Sequence, residues 1–485
     1  MTTMRDPRPM LIDGEWVRSA GSVLASVDPA TGRTNHEICA ADAGDVARAV
    51  EAAVTAAGKA AWRDMLPHQR AAILHRIAGG LRANADGMAR LQMIENGKLW
   101  AECQAQLASA AATFTYFAGV CETLVSEVTP SRGSYLSMSV YEPYGVVAAI
   151  TPWNSPLTME AQKVAPALAA GNAVNLKPSE ITSSTALELG RIALEAGLPP
   201  GILNVLPGTG AVAGAALVAH PGVRMISFTG GTDSGRRIAQ VAAQRLVPVA
   251  LELGGKSPHI VFADADLDAA VAAVMGGIFE GSGQSCIAGS RLFVQRSIQQ
   301  RFLAMLLERT RALKVDLPDA PGAQMGPIAS FGHRERIEAM VEAARVQGAE
   351  ILTGGARPAD ERLRGGAFYQ PTVIGGIDNR AQIVRDEIFG PVLCVLPFQD
   401  EEDLVEQAND SAYGLAAGIW TADFARAWRV ARRLEVGTVW INTYKQLSIS
   451  TPFGGFKESG IGREKGTAGV RLYQQPKGLY FGLPS

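Results

Sequence analysis

Strand-like apolar runs alternate with helical patterns from residue 145 to residue 253, and this alternation constrains the fold more than any other feature. The strand-like runs are 145–150, 172–177, 202–205, 225–228 and 247–253. Helical stretches lie between them, and turns containing Gly or Pro follow the strands. Alternation of this kind predicts an α/β fold with a doubly wound parallel sheet, whose ligands bind beyond the carboxyl ends of the strands.

The rest of the chain divides by pattern into four further stretches. Residues 11–40 predict short strands and turns, including an Asp-Gly hairpin. Residues 42–127 are Ala-rich with helical spacing, and 134–141 alternate as an edge strand or arm would. A second α/β region runs from about 252 to 450, and the short apolar segment 479–481 suits pairing with another strand.

Composition and charge exclude several classes of protein. A length of 485 residues predicts roughly two to four domains of about 100–200 residues each. The formal net charge of −2 indicates no strongly basic face, so nucleic acid is not an expected partner. Five scattered cysteines without a CxxC favour a reducing compartment. The sequence contains no HExxH motif, so a metal site is not expected. No apolar run approaches the ~18 residues of a membrane span, so a cytoplasmic protein is expected.

Cys286 lies in a Gly- and Ser-rich stretch, residues 279–291, that is poor material for a strand or a helix. Glycine permits positive φ and close backbone approach, so free N–H groups can surround the thiol. Such donors lower the pKa of a thiol and later hold an oxyanion, which predicts a catalytic nucleophile. The alternative, a buried structural cysteine, stays open on this stretch alone.

Two glycine clusters invite comparison with nucleotide motifs, and neither fits strictly. Residues 208–214 have one residue too many for G-x-G-x-x-G, and residues 230–235 lack the Lys-Ser/Thr of a P-loop. The second cluster follows a predicted strand and opens a predicted helix over 236–245. Its N–H groups can accept a pyrophosphate, although a plain strand–helix turn is an equal alternative.

Seven motifs occur in one order along nearly the whole chain. They are Thr151-Pro152-Trp153-Asn154, Asn175-Leu176-Lys177-Pro178-Ser179-Glu180, Phe228-Thr229-Gly230, Leu251-Glu252-Leu253-Gly254-Gly255-Lys256, Gly283-Gln284-Ser285-Cys286, Glu387-Ile388-Phe389-Gly390-Pro391 and Pro452-Phe453-Gly454-Gly455. Together they make the chain resemble the NAD(P)-dependent aldehyde dehydrogenase superfamily.

The resemblance implies a fold of three parts. A Rossmann-type cofactor domain would comprise 1–121 and 142–251, and an α/β catalytic domain 252–451. A β oligomerisation arm would combine 122–141 with 465–485, with 452–464 as the connecting loop. Arms of this kind pair between subunits, so a homodimer or homotetramer is expected.

The resemblance also implies roles for five catalytic residues. Cys286 would add to the aldehyde carbonyl, and Asn154 with the Cys286 N–H would form the oxyanion hole. Glu252 would activate the water that hydrolyses the thioester. Lys163 and Glu464 match a pair linked to proton relay from the catalytic Glu.

A larger set is implied for the cofactor. It comprises Ile150, Thr151, Pro152, Trp153, Lys177, Ser179, Glu180, Gly210, Phe228, Thr229, Gly230, Gly231, Ser234, Leu253, Gly254, Glu387 and Phe389. Lys177 and Glu180 would hold the adenosine ribose, and a carboxylate there would repel a 2′-phosphate. NAD is therefore favoured, with NADP as the alternative.

Some positions depart from the family's pattern. Gly231 replaces the usual Ser after Phe-Thr-Gly, and Ser234 stands where an apolar residue is commoner, which affects the grip on the cofactor. Around the substrate, Ser155 and Gln162 occupy positions that are often aromatic, while Phe453 is retained. Ser285 and Ile287 would shape the inner end of the pocket.

The predicted function is therefore NAD-dependent oxidation of a polar or functionalised aldehyde, such as a semialdehyde, to its carboxylate. No Arg or Lys can be assigned to the substrate pocket from the sequence. A CoA-acylating member is one alternative, although such enzymes typically lack the base at Glu252. A catalytically retired structural or binding member is another, although Cys286, Glu252 and Asn154 are all present.

Overall fold

The computed structural model of the protein describes residues 6–19 and 21–484. Residues 1–5, 20 and 485, which fall within the predicted domain ranges, lie outside the described residues. The chain begins with strands β1 (Met10–Ile12), β2 (Glu15–Val17), β3 (Val23–Val27) and β4 (Thr34–Cys39). β1 and β2 pair as the predicted antiparallel hairpin, with φ values of 51° at Asp13 and 80° at Gly14. Positive φ at both turn residues is typical of a tight two-residue hairpin.

The predicted helical stretch forms five consecutive helices and ends at Cys121. They are α1 (Ala43–Gly58), α2 (Ala60–Arg63), α3 (Pro67–Ala83), α4 (Ala85–Asn96) and α5 (Trp100–Cys121). Asp42 caps α1 by accepting a hydrogen bond from the Asp45 N–H. The side chains of Ile73, Ile77 and Leu81 are all buried on one face of α3, as their spacing of four predicts.

The region after α5 builds the doubly wound sheet. Its elements are β5 (Glu127–Thr129), β6 (Tyr135–Pro143), β7 (Val146–Ile150), α6 (Pro156–Ala169), β8 (Ala173–Lys177), α7 (Ser184–Glu195), β9 (Leu203–Val205), α8 (Ala215–Ala219), β10 (Met225–Thr229), α9 (Thr232–Gln244) and β11 (Val249–Glu252). Five strands run parallel in the order β9-β8-β7-β10-β11. Every residue of β7 and β8 is buried, because helices cover both faces of the sheet.

This order makes β7 the point where the winding reverses. The chain goes from β7 to β8 and β9 on one side, and returns to β10 and β11 on the other. A crevice therefore opens beyond the carboxyl ends of β7 and β10, where ligands of such folds bind. Helix α9 begins at Thr232, four residues before the predicted start at residue 236.

A second sheet follows, again mainly parallel. Its region contains β12 (Pro258–Val261), α10 (Leu267–Phe279), β13 (Arg291–Gln295), α11 (Gln299–Ala312), α12 (Phe331–Val346), β14 (Glu350–Thr353), β15 (Thr372–Gly375), α13 (Gln382–Arg385), β16 (Val392–Phe398), α14 (Glu401–Asn409), β17 (Tyr413–Gly414), β18 (Ala416–Trp420), α15 (Phe424–Arg433) and β19 (Thr438–Ile441). The strand order is β14-β15-β16-β13-β12-β18-β19, and β14 is the antiparallel edge.

The last elements tie the chain's parts together. They are β20 (Phe456–Lys457), β21 (Gly460–Ile461), α16 (Gly466–Arg471) and β22 (Gln474–Gly482). β21 adds to the first sheet beside β11, and β22 runs antiparallel along the whole of β6, whose other edge carries β5. The division into domains at the predicted boundaries stays a prediction. Within the described ranges, no helix combines the length and apolar character needed to cross a membrane.

Candidate active site

A cleft of about 1300 Å³ lies beyond the carboxyl ends of β7, β10 and β11. Nineteen of the predicted site residues line it: Pro152, Trp153, Asn154, Ser155, Gln162, Thr229, Gly230, Gly231, Ser234, Glu252, Leu253, Gly254, Ser285, Cys286, Ile287, Glu387, Phe389, Phe453 and Glu464. Tertiary packing thus brings together residues from segments up to 312 positions apart in the chain (464 minus 152).

Cys286 follows a turn whose backbone has positive φ values at three consecutive residues. A short 3₁₀ segment, Glu280–Gly283, follows α10, and Gly281, Ser282 and Gly283 all have positive φ. At Gly283 the φ is +71°, and an added Cβ would lie 2.1 Å from the backbone oxygen of Gly390. The glycine is therefore required both for its conformation and for the close approach of the facing segment.

The electrostatic surroundings of the thiol differ from the sequence-based expectation. Burial, reinforced by the carboxylates of Glu387 and Glu252, raises the pKa of Cys286 to about 12. The N–H groups of Cys286 and Ile287 lower the pKa of the thiol, but by less. The donors thus act in the predicted direction, but the net pKa of the thiol is raised because burial and two acidic neighbours outweigh two backbone dipoles.

Asn154 lies directly beside the cysteine turn. It follows β7 at the entrance to α6, and its side-chain Nδ2 donates to the backbone oxygen of Gln284 at 2.9 Å. The Cys286 N–H points at its own thiol. The Asn154 amide and the Cys286 N–H are therefore two donors that lie beside the thiol.

Glu252 is the last residue of β11 and lines the cleft. Both of its carboxyl oxygens are buried and have no hydrogen-bond partner among the described residues. Burial, with Glu464 as the next cause, raises the pKa of Glu252 well above the usual value, while Lys163 lowers it. A buried carboxyl without partners can take up a proton from a group in the cleft, which is the requirement for a general base.

Lys163 and Glu464 form a buried ion pair behind Glu252. The Lys163 Nζ lies 2.6 Å from Glu464 Oε1 and donates to the Ser227 hydroxyl at 3.1 Å. The Tyr473 hydroxyl lies 2.9 Å from the same Ser227 oxygen and extends the network. Glu464 lines the cleft, whereas Lys163 lies behind it. A charged, hydrogen-bonded chain thus reaches from the interior to the neighbourhood of Glu252.

The end of β10 and the start of α9 form the part of the cleft suited to phosphate. The hydroxyls of Thr229 and Thr232 are buried there without a partner within the described part of the chain. The first-turn N–H groups of α9 point toward the same place, and an added Cβ at Gly231 would meet no atom within 4 Å. Orphaned hydroxyls and free N–H groups at a helix N-terminus fit a pyrophosphate.

Glu387 and Phe389 line the cleft from the second sheet's side. Glu387 Oε1 accepts a hydrogen bond from the Gly255 N–H at 2.9 Å, and burial raises the pKa of Glu387 to about 7. Phe389, which has a φ of 57°, lies edge-on to the Trp153 ring with centroids 5.3 Å apart. These rings form an apolar wall next to the carboxyl of Glu387.

Eight predicted residues do not line the cleft: Lys163, Ile150, Thr151, Lys177, Ser179, Glu180, Gly210 and Phe228. Most lie at or after the ends of the neighbouring strands. Lys177 ends β8, and its Nζ lies 3.5 Å from Glu180 Oε2. The Thr151 N–H donates to the Lys177 oxygen at 3.1 Å, which joins this group to the end of β7. These residues extend the crevice along the sheet edge.

The cleft is also lined by three lysines that the sequence analysis did not assign to the site: Lys98, Lys445 and Lys465. Lys98 and Lys445 belong to segments without a recognisable motif, so no sequence signal could have placed them. Lys465 directly follows Glu464, and this adjacency was the one available signal. Glu102 and Gln106 of α5 were missed for the same reason, because that helix read only as amphipathic packing.

Comparisons with known proteins agree with this geometry. The chain is 39% identical over 476 residues to a betaine aldehyde dehydrogenase of Bacillus subtilis (strain 168), covering 97% of this chain and 96% of that protein. A crystal structure of betaine aldehyde dehydrogenase from Staphylococcus aureus in complex with NAD+ superposes with a TM-score of 0.97 at 37% identity, covering 99% of this chain and 95% of that one. A mutant aldehyde dehydrogenase from Bacillus cereus gives 0.97 at 36% identity, covering 99% and 98%. The model of the aldehyde dehydrogenase family matches residues 16–479, and this chain therefore belongs to that family.

Proposed function

We propose that this protein oxidises a polar, functionalised aldehyde to its carboxylate with NAD, through a thioester on Cys286. The observation that carries the proposal is the single cleft lined by Cys286, Asn154 and Glu252 together with the phosphate-binding start of α9. Family membership and NAD-bound relatives support NAD-dependent aldehyde oxidation.

Cys286 is the proposed nucleophile. Because burial raises the pKa of Cys286 to about 12, the thiol gives up its proton to water in the cleft as it attacks the aldehyde carbonyl. Attack gives a thiohemiacetal whose oxyanion is held by Asn154 Nδ2 and the Cys286 N–H. One such donor is typically worth about 3–4 kcal/mol of barrier.

Collapse of the thiohemiacetal releases a hydride, which NAD accepts when bound, and leaves a thioester on Cys286. Glu252 then takes a proton from water as the water attacks the thioester carbonyl. The proton can pass on toward the network of Lys163, Glu464 and Ser227 behind Glu252. The presence of Glu252 favours hydrolysis over transfer to CoA, and three intact catalytic side chains speak against a retired family member.

The residues at the cofactor end fit NAD. Buried orphan hydroxyls at Thr229 and Thr232 and the N-terminus of α9 suit the pyrophosphate. Lys177 and Glu180, in contact beyond the end of β8, are the proposed partners of the adenosine ribose hydroxyls. The carboxylate of Glu180 would repel a 2′-phosphate, which favours NAD over NADP.

The substrate pocket supports a polar aldehyde. Gln162 is only 7% exposed, and its amide has no hydrogen-bond partner among the described residues. Ser155 accepts a hydrogen bond from Gln106 Nε2 at 3.1 Å, so the adjoining wall is also polar. A substrate with donors or acceptors would satisfy these groups, whereas an alkyl chain would leave them unpaired.

Two relatives are named for betaine aldehyde, which carries a quaternary ammonium. Such cations are typically recognised by several aromatic faces. Here Ser155 and Gln162 contribute no ring, and the Tyr444 ring is stacked on His259 with centroids 4.3 Å apart. The absence of rings at these two positions favours a polar group over a quaternary ammonium, while Trp153 and Phe453 still line the cleft.

We also propose that the protein forms a homodimer or homotetramer and acts in the cytoplasm. Both edges of the β5-β6-β22 sheet carry exposed apolar side chains, including Val128 on β5 and Tyr480 and Phe481 on β22. Open strand edges with exposed apolar groups favour pairing with another copy. All five cysteines are free thiols, which supports a reducing compartment.

The test is NADH formation, followed by absorbance at a fixed NAD concentration, over alkanals and hydroxy-, amino-, amide- and carboxy-substituted aldehydes of equal length. Oxidation of polar members with a higher kcat/KM than the alkanals is expected. A kcat/KM that rises steadily with alkyl length while polar analogues are rejected would overturn the polar substrate. Absence of NADH with every aldehyde would overturn the function itself.

A further inference from the structure

The cleft wall next to Cys286 contains a buried lysine without a counter-ion. Lys465 is 6% exposed and lines the cleft. Its Nζ has neither a hydrogen bond nor a carboxylate within 4 Å within residues 6–19 and 21–484. Burial lowers the pKa of Lys465, and an anion bound in the cleft would favour its charged form.

The acidic neighbours of Lys465 are engaged elsewhere. The carboxylate of Glu464 pairs with Lys163 at 2.6 Å. Glu464, and to a lesser extent Glu252, lie close enough to raise the pKa of Lys465, but neither carboxylate forms an ion pair with its Nζ within the described residues. Within the described part of the chain, Lys465 therefore has acidic neighbours but no direct ion-pair partner.

The position of the Lys465 ammonium also limits the ability of the Phe453 ring to bind a cationic substrate. The Lys465 Nζ lies 5.4 Å from the centroid of the Phe453 ring, within the range of a cation–π contact. One face of Phe453 is thus already occupied by a cation. A cationic substrate would meet both a blocked ring and a like charge.

We propose that Lys465 is a specificity-determining residue that binds the carboxylate of an aldehyde substrate carrying an anionic group. This inference rests on the proposed function and names its substrate class. The carboxylate would accept a charge-assisted hydrogen bond from Nζ, and the free amide of Gln162, on the same cleft, would donate to the substrate's remaining oxygen. An ω-carboxy aldehyde would be selected over amide, alkyl and cationic analogues.

The test compares four aldehydes with a common four-carbon chain: 4-oxobutanoate, 4-oxobutanamide, butanal and 4-(trimethylammonio)butanal, with three- and five-carbon homologues. In the wild type, kcat/KM should be highest for the carboxylate. Lys465→Met, which keeps the length of the side chain, should lower kcat/KM for the carboxylate about 10- to 100-fold and for the amide less than about 3-fold. Lys59→Met, at an exposed position between α1 and α2, controls for the loss of one positive charge.

Two outcomes of the kinetic comparison would overturn the inference. An equal loss on all substrates in Lys465→Met would show that the lysine acts on the thiol or the fold, and a wild-type preference for the trimethylammonium aldehyde would contradict an anion site. If Lys465→Met does not fold, butanedioate and butanoate are compared as inhibitors of the wild type. Tighter inhibition by the dianion supports the site, and equal inhibition overturns it. NADH formation from both 4-oxobutanamide and butanal would leave the proposed function standing, so failure of the anion site and failure of that function are distinguishable.

Discussion

Replacing Lys163 by Met tests both the stability and the chemistry assigned to the buried ion pair. Lys163 is fully buried and Glu464 is 3% exposed, so the substitution leaves a carboxylate uncompensated in the interior. Breaking a buried pair in this way typically costs about 3–5 kcal/mol. For a large domain each kcal/mol lowers the thermal midpoint by about 2–4 °C, so a fall of about 6–20 °C is expected.

The double variant Lys163→Met/Glu464→Gln separates pairing from packing. It removes both charges while preserving side-chain volume, so most of the lost stability should return. Thermal unfolding of the wild type, the two single variants and the double variant, followed by tryptophan fluorescence, measures the cycle. A double variant less stable than Lys163→Met would show that packing around the lysine, and not its pairing with Glu464, is what matters.

The same variants should shift the pH dependence of turnover. Glu252 must be ionised to act as a base, and its raised pKa means that turnover increases as the pH rises through that pKa. Lys163 lowers the pKa of Glu252 and Glu464 raises it, so Lys163→Met should move the rise in kcat to higher pH. The double variant should move it back. An unchanged pH profile in Lys163→Met, together with wild-type stability, would refute the reasoning.

Four further variants test the nucleophile, the general base, the cofactor site and the cysteine turn. Cys286→Ala should abolish oxidation while NAD binding, measured by fluorescence titration, stays near wild type; Glu252→Gln should instead accumulate a thioester visible by mass spectrometry, and near-normal turnover in it would contradict the assigned base. Glu180→Gln should raise kcat/KM with NADP relative to NAD by about 5- to 30-fold, since one half-exposed carboxylate no longer faces a 2′-phosphate. Equal use of both cofactors by the wild type would contradict that role. Gly283→Ala should lower the thermal midpoint and activity far more than Gly322→Ala, because both have positive φ but only the first places a Cβ against facing backbone.

Local patterns were sufficient to predict the layout of the first sheet. Alternating strands and helices between residues 145 and 253 predicted a parallel, doubly wound sheet, and β7 to β11 form it. Strand spacing, apolar runs and turn residues are properties of neighbouring residues, so they can be recognised without knowing what lies across the sheet. The start of α9 was misplaced by four residues, because Gly235 weakens the helical pattern that begins at Thr232.

Contacts between distant segments could not be predicted in the same way. The resemblance identified Cys286, Asn154 and Glu252, but the high pKa of the thiol depends on burial and on Glu387, which lies 101 positions away (387 minus 286). Lys465 reads in the sequence as an ordinary charge in a Gly-rich loop, and only packing shows that it is buried beside Phe453 without a counter-ion. Residue types and spacing specify the chemistry that is available, whereas desolvation and charge proximity arise only when separate segments meet in the folded chain.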